Sequence, residues 1–230
     1  MERIKSFNNN PVLKKKCVDL AQFHQDADNF IQGNWLSGEQ NGDFEKGCGI
    51  GCMTQVGKSE ALQVFSEKYH IDLWYVHLIE KIFEGLSDLE SKTLIKDAFE
   101  VVPVGFDFDK CKSLFHFRVL MDDKKGQIGF CETDEQRKAV THCAKLFKVH
   151  FSEIQESTAE LAAESAAESA WSAAESAHYK WLRDLLFDCI EKTKCICDTS
   201  RYCVYCSIEI NPTSPYMHCE SCRGRGLRMS

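Results

Sequence analysis

Four cysteines near the end of the chain, Cys203, Cys206, Cys219 and Cys222, form two Cys-x2-Cys knuckles separated by twelve residues. A Cys-x2-Cys turn aims two thiolates at one point, and two such turns complete a tetrahedral zinc site. The spacing predicts a zinc-ribbon-like module over residues 194–230, folded by its metal because so short a segment buries too little on its own. Four thiolates leave no open coordination position, so the zinc expected here is structural. Cys195, Cys197 and His218 could replace one pair, join a second site or stay free; spacing leaves this open. Arg223, Arg225 and Arg228 follow the last knuckle, so any contact with nucleic acid is expected through this tail alone.

A second stretch with chemical potential is GCGIGCMTQVGKS, residues 47–59. A phosphate-binding P-loop needs Gly, four residues, then Gly-Lys-Ser or Gly-Lys-Thr. Counting back from Gly57 reaches Cys52, with Gly51 one place too early, and no apolar strand precedes the stretch. Nucleotide hydrolysis of the P-loop type is therefore excluded, and the dinucleotide fingerprint fails for want of the same strand. What the glycines do predict is a tight turn opening a helix at Ser59, with N–H groups that could meet an anion. The residues placed around that ligand are Lys46, Gly47, Gly49, Gly51, Gly57, Lys58 and Ser59. Cys48-x3-Cys52 offers two metal ligands without a second pair nearby. Either thiol could be a nucleophile if a histidine came close, but the eight histidines stand singly along the chain.

The totals bound the rest. A chain of 230 residues, 43% hydrophobic and 27% charged, is long enough for one good core with a small appended module. No run of about 18 apolar residues is present and the first residues lack a signal peptide's apolar stretch, so no membrane association and a cytoplasmic location are expected. Thirteen cysteines, an odd count in that setting, favour free thiols and metal ligands over disulfides. The net charge of −7 makes the surface as a whole a poor partner for nucleic acid.

Apolar spacing predicts a mainly α fold. Val12, Leu13, Cys17, Leu20, Phe23, Ala27, Phe30 and Ile31 recur at threes and fours over residues 11–36, opened by Pro11 and closed by Gly33-Asn34. Further helices are predicted after Ser59, over 71–86 with Gly85 as C-cap, over 88–101, from Asp107 or Asp109 to Val119, and over about 133–152. Gln127–Cys131 reads as a short strand. Residues 159–181, AELAAESAAESAWSAAESAHYKW, advance their serines and alanines by four, three and four, which keeps one smooth face along a nearly straight helix. From Trp181 the helix gains an ordinary core stripe of Leu182, Leu185, Leu186, Cys189 and Ile190. The organisation expected is a helical domain over 1–158 with a Gly-rich loop at 37–58, the long Ala/Ser-rich helix over 159–193 packing on it, and the Cys-rich zinc-binding tail over 194–230.

Three stretches in order, GCGIGC at 47–52, IDLWYVHLIEKIFEGL at 71–86 followed by FEVVPVGFDFD at 99–109, and AAESAAESAWSAAESA at 162–177, resemble a largely uncharacterised family of bacterial and phage proteins. Its members share a Gly-Cys loop, a Trp-bearing helix ending in Phe-Glu-Gly-Leu, an Ile-Pro-Val-Gly turn and a long Ala/Ser helix. Here Val102-Pro103-Val104-Gly105 stands at the turn, Asp72 occupies a site where proline is usual, and the Cys-rich tail is an addition. The resemblance covers about residues 20–190 and carries no established activity. Its phage association implies a small accessory, anti-defence protein acting in the host cytoplasm.

The function expected is thus a non-enzymatic binding protein that captures a small anionic, nucleotide-type ligand or a host protein. A zinc-dependent nucleic-acid or protein adaptor centred on the tail is the alternative, and a cysteine-dependent enzyme built on Cys48 or Cys52 a third. Smooth alanine faces pair readily, so a homodimer is compatible with the sequence.

Overall fold

The computed structural model describes residues 5–149 and 176–193. The described part of the fold is mainly helical: α1 (Pro11–Asp26), α2 (Gly49–Thr54), α3 (Glu60–Tyr69), α4 (Leu73–Gly85), α5 (Asp88–Val101), α6 (Phe108–Met121), α7 (Asp134–Val149) and α8 (Ser176–Thr193). A two-stranded antiparallel hairpin, β1 (Gln40–Asn41) and β2 (Phe44–Glu45), decorates the connection between α1 and α2. The Ala/Ser repeat up to residue 175 and the tail with Cys195, Cys197, Cys203, Cys206, His218, Cys219 and Cys222 lie outside the described residues.

The helices arise from the apolar stripes and from caps the sequence supplies. Asn10 accepts from the N–H groups of Val12 and Leu13, Asp72 from Trp74 and Asp107 from Asp109, so α1, α4 and α6 each start on a side-chain cap. Two termini are closed by other elements. Lys14 of α1 donates to the carbonyls of Glu100 and Val102, placing a cation at the C-terminal end of α5. Gln32 donates to the carbonyls of Phe83 and Leu86 at the end of α4. The main core gathers Phe7, Phe30, Ile50, Phe65, Tyr75, Ile79, Phe83, Phe99 and Phe108, with the α8 stripe from Leu182 to Ile190 in the same cluster. Fully buried Tyr75 spends its hydroxyl on the Ala98 carbonyl at 2.7 Å. A smaller cluster of Leu120, Ala144 and Phe147 joins α6 to α7.

Four boundaries differ from the sequence expectations, each for a physical reason. Helix α1 ends at Asp26, not at Gly33: Asp28 turns left-handed at φ +52°, and the N–H groups of Asp28 and Asn29 return to the carbonyls of Gln25 and His24. Phe30 and Ile31 keep the helical spacing, yet they belong to an extended segment in which Phe30 bridges to Gly47. The Gly-rich stretch is not merely a turn, since residues 49–54 form α2. Gly85 is the last helical residue of α4 rather than its left-handed cap, and it lets the Tyr179 ring of α8 lie against the backbone. Residues Gln127–Phe130 form a 3-10 turn where a strand was expected.

At the N-terminus Phe7, Asn8 and Asn9 all have positive φ, at 55°, 49° and 54°. Such a turn is costly for non-glycine residues, most of all for Phe7. It is held by the complete burial of Phe7 and by Ser6, whose hydroxyl donates to the Pro103 carbonyl at 2.6 Å and accepts from the N–H of Phe106 at 2.7 Å.

The glycines of GCGIGC have a packing role. A Cβ on Gly47 or Gly51 would stand 2.1 or 2.0 Å from the carbonyl oxygen of Trp35, and one on Gly49 would stand 2.2 Å from Ile95 Cδ1. Backbone blocks two of these sites, so a side chain there must displace the α1–α2 connection or α2 itself. Gly51→Ala is expected to destabilise the protein by about 1–3 kcal/mol or more, the cost of overpacking. Gly57→Ala, whose Cβ would meet nothing nearer than Leu36 Cδ1 at 3.5 Å, is expected to cost under about 0.5 kcal/mol. Urea unfolding of the two variants checks the contrast.

Candidate functional site

The backbone that packs so tightly leaves the side chains of Cys48 and Cys52 to face two different buried polar groups. Cys48 is the N-cap of α2 and its N–H donates to the Asn34 carbonyl at 2.7 Å. Its thiol meets Glu80 of α4, and Glu84 lies one turn further along the same helix. The donor atoms of Cys48, Glu80 and Glu84 all fall within 4.8 Å of one another. Glu80 is only 7% exposed and accepts the Ile50 N–H at 3.0 Å, taking one of the N–H groups that α2 cannot satisfy internally. Glu84 accepts the Gly33 N–H at 2.7 Å and reaches solvent. The segment that clamps the end of α4 through Gln32 therefore also orients Glu84 through Gly33.

Charge is unbalanced here. Burial pushes the Glu80 carboxyl up to about 7, partly offset by the hydrogen bonds from Cys48 and Ile50. Glu84 is raised by burial as well, and the Cys48 thiol is raised by burial and by the charge of Glu80. Among the described residues no lysine or arginine pairs with either carboxylate. Among the described residues nothing nearby compensates negative charge on the group, so burial favours its protonated forms.

Cys52 faces the other way. Its sulfur lies 3.2 Å from Nδ1 of His24 in α1 and 3.8 Å from the carbonyls of Asn29 and Glu45. Asn41 donates to Oδ1 of Asn29 at 2.7 Å, which turns the Asn29 amide nitrogen toward His24 Nδ1 at 3.0 Å. That network makes Nδ1 the acceptor and leaves the proton on Nε2. Nε2 is buried without a hydrogen-bond partner among the described residues, in a cage of Phe23, Phe30 and Phe44 rings. Burial lowers His24 to about 4 and raises Cys52 to about 12. The proximity a thiol nucleophile requires is present, but the ground state is a neutral thiol beside a neutral imidazole. A cysteine nucleophile needs the reverse, a thiolate beside a cation at an accessible position.

The residues expected to cradle an anion are only partly brought together. Gly47, Gly49 and Gly51 are buried, the Gly47 N–H donates to the Asn29 carbonyl, and the N–H of Ile50 within this stretch is held by a carboxylate. Lys46 pairs with Glu39 at 2.9 Å, while Gly57, Lys58 and Ser59 lie exposed between α2 and α3. Ser59 is the residue before α3, as expected, although its side chain makes no capping bond.

Sequence reading found both cysteines but not their partners. The signals were present: Glu80 interrupts a buried stripe with Val76, Ile79 and Phe83, and His24 continues the stripe of Cys17 and Ala21. A single titratable group on an apolar stripe marks a buried polar partner, without saying which.

Comparison of the chain with known family models, curated proteins and solved structures returns no match.

Because His24 is neutral in the fold and its pKa is lowered, its contribution to stability is fully present above about 6.5 and is lost as pH falls through about 4. The loss expected from this residue is about 3 kcal/mol. Urea unfolding from pH 7 to pH 4 should show it as a steep acid limb. His24→Gln is expected to be less stable at pH 7 but to have a shallower limb.

Proposed function

We propose that this chain is a non-catalytic binding protein organised around a divalent cation held by Cys48, Glu80 and Glu84. The observation that carries the reading is the convergence of one thiol and two carboxylates from α2 and α4 within 4.8 Å, with no cation of the protein pairing with the carboxylates among the described residues. Tetrahedral bonds of about 2.0–2.3 Å put neighbouring donors about 3.3–3.8 Å apart, so the set closes on an ion with movements of about an ångström. Mixed sulfur and oxygen donors suit zinc or another borderline first-row ion better than magnesium or calcium.

An ion competes with protons for these donors, so binding releases protons and strengthens as pH rises. The Ile50 and Gly33 N–H groups already hold the two carboxylates in place, the part that second-layer hydrogen bonds play around a metal. Three protein donors would leave at least one further coordination position open.

Native mass spectrometry and cobalt titration of the full chain test the reading. Cys48→Ser and Glu80→Gln are each expected to lose one equivalent of bound metal and the thiolate-to-cobalt band that belongs to Cys48. A variant with Cys203, Cys206, Cys219 and Cys222 all replaced by Ser is expected to keep that equivalent. With free zinc at 100 times Kd the wild type gains about 2.7 kcal/mol of stability from this site. Unchanged stoichiometry in Cys48→Ser would overturn the proposal.

A further inference from the structure

The hairpin between α1 and α2 carries the single Asn-Gly pair of the chain, Asn41-Gly42; every other asparagine precedes Asn, Pro, Phe or Trp. Asn41 ends β1, and Gly42 opens the two-residue loop to β2, a place where tight hairpin turns favour glycine. Gly42 is exposed with φ +66°, and a Cβ built on it would meet nothing within 4 Å. Among the described residues its N–H has no hydrogen-bond partner.

A backbone nitrogen in such open surroundings is the nucleophile of asparagine deamidation. The Gly42 nitrogen loses its proton and bonds to Cγ of Asn41, while the Cγ–Nδ2 bond breaks and ammonia leaves. Water then opens the cyclic imide at either of its carbonyls. One opening restores the chain with aspartate at position 41; the other routes the chain through Cγ as isoaspartate. Water is the sole co-reactant.

The side chain that would be converted also fastens the hairpin over the buried thiol and imidazole. Nδ2 of Asn41 donates to the Ala27 carbonyl at 2.8 Å and to Oδ1 of Asn29 at 2.7 Å. Asn29 in turn presents its amide nitrogen to Nδ1 of His24 at 3.0 Å, the ring atom that lies 3.2 Å from the Cys52 sulfur. Strand β2 covers the pair, with the Phe44 ring centroid 4.9 Å from that of His24 and the Glu45 carbonyl 3.8 Å from the Cys52 sulfur. Deamidation replaces the Nδ2 donor by an oxygen that faces two acceptors, so repulsion stands where two hydrogen bonds stood. Isoaspartate also adds a backbone carbon beside the loop, which upsets the register of a ladder of two residue pairs. A ladder this short does not hold itself together, and depends on such side-chain fastenings.

We infer that Asn41 is a site of spontaneous deamidation and that its conversion uncovers Cys52 and His24. Ring closure requires Nδ2 to leave both acceptors, so the reaction proceeds from the lifted hairpin and is slow in the closed one. The inference rests on none of Cys48, Glu80 and Glu84 and stands apart from the cation reading above.

The full chain, aged in warm and mildly alkaline buffer, tests it. Peptide mapping by mass spectrometry follows the amide-to-acid mass gain at each asparagine, and iodoacetamide labelling without denaturant follows each cysteine. Asn41 is expected to convert fastest and to give both aspartate and isoaspartate. Cys52 is expected to be labelled about tenfold faster or more in the aged protein and in Asn41→Asp, the effect of losing two hydrogen bonds. Cys17 and Cys111, buried in the main core, are expected to keep the rates of the fresh wild type. If Asn41→Asp fails to fold, the aged wild type carries the comparison against its own fresh sample. Conversion first at another asparagine, or none at Asn41, would overturn the proposal. So would unchanged labelling of Cys52 after conversion, or an equal rise at Cys17 and Cys111, which marks general unfolding.

Discussion

The approach of α2 to the carbonyl of Trp35 is the constraint on which the rest of the structure depends. Gly47 and Gly51 both meet that one oxygen, and Gly49 meets Ile95 of α5. With Cβ atoms at these places α2 would stand off from the connection and from α5. Cys48 would then leave Glu80, Cys52 would leave His24, and the Ile50 N–H would lose its carboxylate. A stretch that suggests a phosphate loop by composition is thus a packing device. Its chemistry lies in the cysteines among the glycines: Cys48 is the extended N-cap of α2 and meets Glu80, whereas Cys52 lies inside the helix and meets His24.

Those partners explain why a protein would retain such expensive groups in its interior. A buried carboxyl and a buried imidazole each cost free energy unless they are neutral or compensated. His24 solves the problem by staying neutral inside a ring of phenylalanines, with Asn29 and Asn41 fixing its tautomer. Glu80 has a backbone N–H and a thiol as neighbours but no cation among the described residues, which is a weaker solution. The two cysteines therefore differ in kind. Cys52 belongs to a neutral network in which only His24 Nε2 lacks a partner among the described residues, while Cys48 belongs to a group with no compensating cation among them.

Much of the helical architecture was legible because apolar residues at threes and fours survive any tertiary arrangement. The stripe of Leu182, Leu185, Leu186, Cys189 and Ile190 is buried as its spacing required, and α5 runs over the predicted residues. The errors fall where local spacing and tertiary use part company. Phe30 and Ile31 continue a helical period after Asp28 has reversed the chain, and Gly85 has the composition of a cap but the duty of a close contact. The site was half legible. Cysteines and glycines announce themselves in one short stretch, but Glu80, Glu84 and His24 come from α4 and α1, and no local pattern ties them to Cys48 or Cys52.

Cys48 and Glu80 are buried where helix α2 is pressed against α4, so any charge they carry is concentrated and poorly solvated, the condition in which a cation would gain most from entering. Lys138 and Lys145 of α7 stand on an exposed face, where water and salt screen each one. Like charges of equal number therefore differ in their pull on a counter-ion according to the depth at which the backbone sets them.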